Sequence, residues 1–491
     1  MKKLFGTDGM RGEAGQFPLD AASVRTAGRS LARHLSEKLG RAPRVVTGRD
    51  TRESGAWIER ALVEGARESG AHVESAGVVT TPGVAYLART LPADVGVVVS
   101  ASHNPFQDNG IKIFVPDGSK LDDATERQIE ADIYAERAAA RDASAEEKSQ
   151  VERAAKVDEG NVGINNESNV GINVDVGNAG AGRAVSELSV LRSSELRKRY
   201  LDYLAGDVAA GLELGGLHIV VDCANGAASE LAPALLARLG AHVVAIGDAP
   251  DGRNINRDCG SLHMDALRRR VVEEEAQLGV AYDGDADRSL FVDARGRLAD
   301  GDATLWVLAK RMQERGELAG GRVVATVMSN IGLELALRTR GVELLRADVG
   351  DKYVLEELLR TGASLGGEQS GHIIFPRVSL AGDGMITTVG LLRAMRESGR
   401  ALHELTEGFE RFPQVLVNVR VREKRAFEDV AEVARAAREV QSQLGERGRL
   451  LLRYSGTEPL ARVMIEGQSQ EEIERLAESL AAVIRQSLGE G

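Results

Sequence analysis

The chain has 491 residues, 43% of them hydrophobic, 28% charged and only 4% aromatic, with a formal net charge of -12. That length exceeds one ordinary core and predicts three or four domains filled mainly by Ala, Val and Leu. The acidic balance excludes a general nucleic-acid binder, which needs basic surface against phosphate, and no run approaches the ~18 apolar residues of a membrane span.

In chain order, MKKLFGTDGMRG has two lysines but no apolar stretch behind them, so no secretory leader is expected. Apolar residues at helical spacing predict a helix over 20–40, stopped by Gly40. A strand over 44–47, a helix over 56–70, a strand over 72–79, a helix over 82–91 and an apolar strand over 95–99 follow. Strands alternating with helices predict βαβ units and a largely parallel sheet. The same pattern returns at 217–246 and at 322–346. The last ~75 residues read differently: a Val-alternating run over 413–421, a helix over 427–444, the loop RYSGTEPLAR, a strand and a final helix. The expected domains are 1–141, 183–302, 303–412 and an α+β domain at 413–491. Residues 142–182 hold two copies of NVGIN and no aromatic residue, the composition of an insertion or linker that buries little. Cys223 and Cys259 have no metal-site spacing and fit reduced thiols in a cytoplasmic protein.

Four loops carry chemistry. In AYDGDADRSLFVD, Asp283, Asp285 and Asp287 alternate, so an extended backbone aims three carboxylates one way. Such a set repels itself unless a cation joins it, and oxygen ligands suit Mg²⁺ or Ca²⁺. An EF-hand is excluded, because Arg288 and Ala294 stand where its Gly and Glu belong. RYSGTEPLAR offers an arginine, hydroxyls and backbone N–H groups that can cradle a phosphate, although Ser-Gly-Thr also occurs in ordinary turns. In GGEQSGH, Glu368, Ser370 and His372 alternate, which suits either sugar hydroxyls or a polar strand end. Arg11 in FGTDGMRG and the nearby GRDTRESG are glycine-flanked basic turns of open meaning.

Ser102, in VSASHNPFQDNGIKIF, lies just past the end of the 95–99 strand, where open α/β sheets place ligands. A hydrolase elbow GxSxG is absent, and His103 beside Ser102 is no evidence of a dyad, because such partners meet in space. A carboxylate set needing one more oxygen and a phosphate loop point instead to Ser102 as a phosphoryl carrier. Its phosphate would complete the Mg²⁺ shell, with Arg288 offsetting charge during transfer to a sugar hydroxyl.

FGTDGMRG, SASHNPFQDNGIKIF, DGDADR, GGEQSGH and RYSGTEPLAR, in that order and spacing, resemble the α-D-phosphohexomutase superfamily, and within it the bacterial phosphoglucosamine mutases. VVDCANGAA, PDGRNINRDCGS, VMSNIGLE and VGDKYV support the likeness, which covers nearly all of the chain except 142–182. The resemblance implies three similar α/β domains with mixed, largely parallel sheets plus a C-terminal α+β domain, heart-shaped around a central cleft. It implies that Ser102 is a phosphoserine and that Asp283, Asp285 and Asp287 bind one Mg²⁺ together with the phosphate on Ser102. Glu368 and Ser370 would contact the sugar, with His372 close by. Arg453, Ser455, Gly456 and Thr457 would grip the non-reacting phosphate. Arg11, Lys112 and Arg288 would surround the transferring group, with Lys112 or His372 assisting proton transfer. The implied reaction interconverts glucosamine 6-phosphate and glucosamine 1-phosphate through glucosamine 1,6-bisphosphate, on the route to UDP-N-acetylglucosamine, and family members are often homodimers. Tyr454 departs from the family pattern, standing where many relatives have Pro. The rival readings are a phosphomannomutase or phosphoglucomutase with the same machinery, a silent sugar-phosphate-binding protein, and, more remotely, a serine hydrolase.

Overall fold

The computed structural model describes residues 3–6, 9–158, 179–455 and 458–489, with 144–158 and 179–189 described as helix only. The chain packs into two units. The first comprises Met1–Leu267, Ala281–Asp287 and Ser379–Met385; the second comprises Arg268–Val280, Arg288–Val378 and Ile386–Gly491.

The first unit holds a six-stranded sheet in the order Phe5–Gly6, Gly9–Glu13, Asp108–Phe114, Val95–Val99, Arg44–Arg49, His72–Val78. The last three strands pair in parallel, as the alternation with helices predicts. The first three are antiparallel additions. GMRGE and DNGIKIF give little strand signal, because Gly, Asp and Asn are depleted in strands.

Helix Ala21–Leu39 begins where the Asp20 carboxylate accepts the Ser23 N–H at 3.0 Å. It ends at Gly40, whose φ of 66° and N–H bond to the Ser36 carbonyl close the last turn. Its Val24, Leu31 and Leu35 join Ile58 and Leu62 of helix Gly55–Glu68 and the strand residues Val45, Val95, Val97, Val99, Ile111 and Ile113 in one core. Each such side chain contributes roughly 1.5–3 kcal/mol by leaving water. Helix Thr81–Thr90 packs on the same parallel strands, so Val95–Val99 is buried at every residue, as in strands covered on both faces. Residues 142–158 continue the helix Asp123–Asp158, where AEEKSQVERAAK is rich in strong helix formers. Residues 179–182 open the helix Ala179–Tyr203, and both NVGIN copies lie outside the described residues. Strands His218–Asp222 and His242–Ile246 pair in parallel in the same unit.

In the second unit, strands Arg322–Thr326 and Glu343–Ala347 run parallel. Gly366–Gly367 joins Arg322–Thr326 in parallel and pairs with Ile373–Ile374 antiparallel. The C-terminal module is a three-stranded antiparallel sheet, Gln414–Arg420, Leu460–Glu466, Arg449–Tyr454, covered by helices Ala431–Leu444 and Gln470–Leu488. A buried polar cluster joins this module to the rest of its unit. The Asn330 amide donates to the Phe412 carbonyl at 3.0 Å and to Glu466 Oε1 at 3.2 Å, and its oxygen accepts the Phe412 N–H at 2.9 Å. Glu466 in turn pairs with Arg449 at 2.8 Å. Among the described residues no helix is long and apolar enough to cross a membrane.

Candidate functional site

Ser102 sits three residues beyond Val95–Val99 with φ at 54°, a left-handed backbone that an L side chain adopts only when its surroundings impose it. The surroundings are two side chains that each take the same two carbonyls. Arg52 Nη2 donates to the Ser102 and Asn104 oxygens at 3.1 and 2.6 Å, and Asn256 Nδ2 donates to both at 2.9 Å. Arg52 is itself buried and paired with Asp50. In the sequence GRDTRESG reads only as a basic turn, and the one local signal for Asn256 is its place in PDGRNINRDCGS.

The first unit brings the three aspartates to this serine. Their ligand-capable oxygens lie within 4.8 Å of one another, and all three are buried. The Ser102 hydroxyl donates to Asp283 Oδ2 at 2.5 Å and lies 3.3 Å from His103 Nδ1. Gly284 permits this approach, since a Cβ there would stand 2.5 Å from the Ser102 carbonyl oxygen. Lys112, buried in Asp108–Phe114, donates to Asp285 Oδ2 at 2.8 Å and Asp287 Oδ2 at 3.3 Å. Three buried carboxylates this close repel one another, a cost that a bound cation relieves. Asp285 Oδ1 is buried with no hydrogen-bond partner among the described residues. The donor set is oxygen only. The residues therefore fit a hard divalent cation such as Mg²⁺. Arg11 lies on the strand Gly9–Glu13, its backbone opposite Gly110 and one strand removed from Val95–Val99.

The remaining candidates fall in the second unit. Arg288 pairs by backbone with His372, and Gly371, at φ 91°, lets the two segments touch: a Cβ there would meet the Ser289 oxygen at 2.3 Å. The Ser370 hydroxyl donates to Glu368 Oε2 at 3.1 Å, while Glu368 Oε1 accepts the Gly350 N–H at 3.1 Å. Both side chains are half-buried. Arg453 is the penultimate residue of the strand Arg449–Tyr454, and burial, then the charge of Arg462, holds its guanidinium below the usual arginine range. Ser455 is buried; its Oγ accepts from the Glu458 N–H at 3.3 Å and from Arg462 Nη2 at 3.4 Å, and its carbonyl accepts from Lys424 Nζ at 2.7 Å. Arg453, Arg462 and Lys424 thus bring positive charge to the Ser455 end of this strand pair, which suits an anion. Lys424 and Arg462 were missed as partners of the loop: Lys424 is distant in sequence, and Arg462 lies across the turn. Gly456 and Thr457 lie outside the described residues. Tyr454 stacks on Phe427 with centroids 4.3 Å apart and donates to the Arg425 carbonyl at 2.6 Å, so it anchors the strand.

The sequence matches four domain signatures in order: Phosphoglucomutase/phosphomannomutase, alpha/beta/alpha domain I at residues 2–140, domain II at 198–296, domain III at 300–412 and the C-terminal domain at 416–483. The chain belongs to the phosphoglucomutase/phosphomannomutase family. It is 44% identical over 489 residues to the phosphoglucosamine mutase of Solibacter usitatus (strain Ellin6076), covering 100% of both chains. It is 45% identical over 483 residues to the phosphoglucosamine mutase of Deinococcus deserti, covering 98% of each. The first of these alignments runs through 142–182 as well. A crystal structure of a phosphoglucomutase/phosphomannomutase family protein from Burkholderia thailandensis shares the fold at TM-score 0.72 and 24% identity, covering 99% of this chain and 97% of that one. Aspergillus fumigatus N-acetylphosphoglucosamine mutase, crystallised with GlcNAc-6P and magnesium, does so at TM-score 0.62 and 19% identity, covering 99% and 96%. The expected resemblance to phosphohexomutases, and within them to bacterial phosphoglucosamine mutases, is borne out, and this family member is an enzyme, an isomerase of the intramolecular phosphotransferase kind.

Proposed function

We propose that the chain is a phosphoglucosamine mutase, interconverting glucosamine 6-phosphate and glucosamine 1-phosphate for UDP-N-acetylglucosamine synthesis in the cytoplasm. The observation that carries this reading is the buried junction of Ser102 with Asp283, Asp285, Asp287 and Lys112, in a chain whose full-length relatives are named phosphoglucosamine mutase. Ser102 carries the phosphoryl group and donates it to the substrate, giving the 1,6-bisphosphate; it then takes back the other phosphoryl group. Asp283, Asp285, Asp287 and the phosphate on Ser102 hold one Mg²⁺, which when bound supplies charge compensation to phosphate oxygens. Arg11, Lys112 and Arg288 offset charge on the transferring group, and Lys112 or His372 moves the proton of the sugar hydroxyl. Glu368 and Ser370 bind the sugar. Arg453, Ser455, Gly456 and Thr457 hold the phosphate that is not reacting. One phosphate grip and one serine serve both ends of the sugar only if the bisphosphate turns over between transfers. The proposed domains are 1–141, 183–302, 303–412 and 413–491, with 142–182 as an insertion or linker, and the family resemblance adds a homodimer.

Mass spectrometry of the purified chain, followed by assay in the same tube, tests this. The expected result is one phosphoryl group on Ser102 and Mg²⁺-dependent conversion of glucosamine 6-phosphate; Ser102→Ala keeps the fold and loses nearly all turnover. Conversion of mannose or glucose phosphates alone would transfer the protein to the rival substrate class. An unmodified Ser102 that stays inactive when primed with a sugar 1,6-bisphosphate would overturn the reading.

A further inference from the structure

We propose that Thr81 is a positioning residue for the cation site: it fixes which oxygen of Asp285 is presented to the metal. The inference rests on the metal reading above and adds a residue that no chemistry-bearing motif contains. Thr80 is the N-cap of helix Thr81–Thr90, its hydroxyl accepting the Gly83 N–H at 3.1 Å, and Pro82 fits the first turn because it lacks the N–H that would stay unpaired there. Capping fixes Thr81 at the head of the helix, where backbone N–H groups have no partner within the helix. The Thr81 N–H donates to the Asp285 carbonyl at 3.0 Å, and its hydroxyl donates to Asp285 Oδ2 at 2.5 Å. The two groups are 204 residues apart in sequence, and all of these residues lie in the first unit.

Lys112 Nζ donates to the same Oδ2 at 2.8 Å. Two donors on one oxygen settle the carboxylate rotamer and leave Oδ1 as the buried oxygen with no hydrogen-bond partner among the described residues. Both Thr80 and Thr81 are buried, so water cannot substitute for the hydroxyl. Removing it frees the carboxylate to rotate and splits its lone pairs between Lys112 and the cation. Supporting groups of this kind orient metal ligands, and their loss weakens metal binding about 10-fold or more.

The test uses the full chain and Mn²⁺ as the probe, with free Mn²⁺ read by electron paramagnetic resonance, alongside thermal melting. Thr81→Val removes the hydroxyl at nearly constant volume and is expected to raise the Mn²⁺ dissociation constant about 10-fold, whereas Thr81→Ser retains the hydroxyl and stays within about twofold of the wild type. If T81V loses its cooperative melt, Thr81→Ala carries the same comparison. A wild type that binds Mn²⁺ and a folded T81V that binds it equally well would overturn the role of Thr81 alone. A wild type that leaves Mn²⁺ free in solution would overturn the metal reading, and this proposal with it.

Discussion

At Ser102 the backbone conformation is one that serine rarely adopts, and two side chains distant in sequence help to maintain it. Arg52 and Asn256 pin the carbonyls on either side of His103, so the serine is held out of the regular strand path and against Asp283. Asn256 itself sits at φ 58°, a region Asn tolerates better than Ala. Asn256→Ala therefore loses two hydrogen bonds and adds backbone strain, about 2–3 kcal/mol together. The urea midpoint should fall accordingly, and an unchanged midpoint would show that Arg52 suffices. The serine and the aspartates were legible because alternating carboxylates and a serine past a buried strand are local patterns. Arg52, Asn256 and Thr81 were not, because their roles arise from contacts across 50, 154 and 204 residues respectively.

Among the elements, helix Gly301–Glu314 has two carboxylates at its start with different work. Asp300 caps it, accepting the Ala303 N–H at 3.0 Å, and pairs with Arg411. Asp302, fully buried, accepts from the Asn330 N–H at 2.9 Å and from the Gln369 amide at 3.3 Å, so it braces the GGEQSGH loop. Burial, then the nearby charge of Asp300, pushes Asp302 up to about 7. A carboxyl whose pKa rises on folding holds its proton more tightly in the native chain than in the unfolded one. Its contribution is thus complete below about pH 4, the ordinary carboxylate value, and is lost as pH climbs through about 7. Asp302→Asn should flatten the dependence of stability on pH across that window, with a relative gain at its upper end. Melting curves from about pH 5 to 8 check this, and an unaltered slope would contradict it. The helix Ala21–Leu39 was readable from its apolar spacing and the Gly40 stop, because both are local signals. Strands Phe5–Gly6, Gly9–Glu13 and Asp108–Phe114 were not, because neighbouring strands rather than their own residues make them strands.

At the scale of the whole chain, two compact units predict unfolding that is not a single two-state event. Asn330 makes the sharpest probe, since its amide bonds both backbone groups of Phe412 and also Glu466. Asn330→Ala leaves buried polar groups unpaired, at a cost of at least about 3 kcal/mol. Calorimetry should show the transition of the second unit falling while that of the first stays in place; both moving together would contradict the division. The α/β character and the distinct C-terminal module followed from periodicity, whereas the partition into units did not, since it depends on which distant segments pack together. That partition is discontinuous. Ser379–Met385 belongs to the first unit, where the Gly384 N–H donates to the carbonyl of Ala286 in the three-aspartate loop at 3.1 Å and Asp383 accepts the Tyr200 hydroxyl at 2.5 Å. A ribosome therefore delivers residues 288–378 of the other unit before the first unit receives its last piece. Nascent chains halted before Gly384 lack the brace behind Ala286, so the loop carrying Asp283, Asp285 and Asp287 gains its last support only late in synthesis.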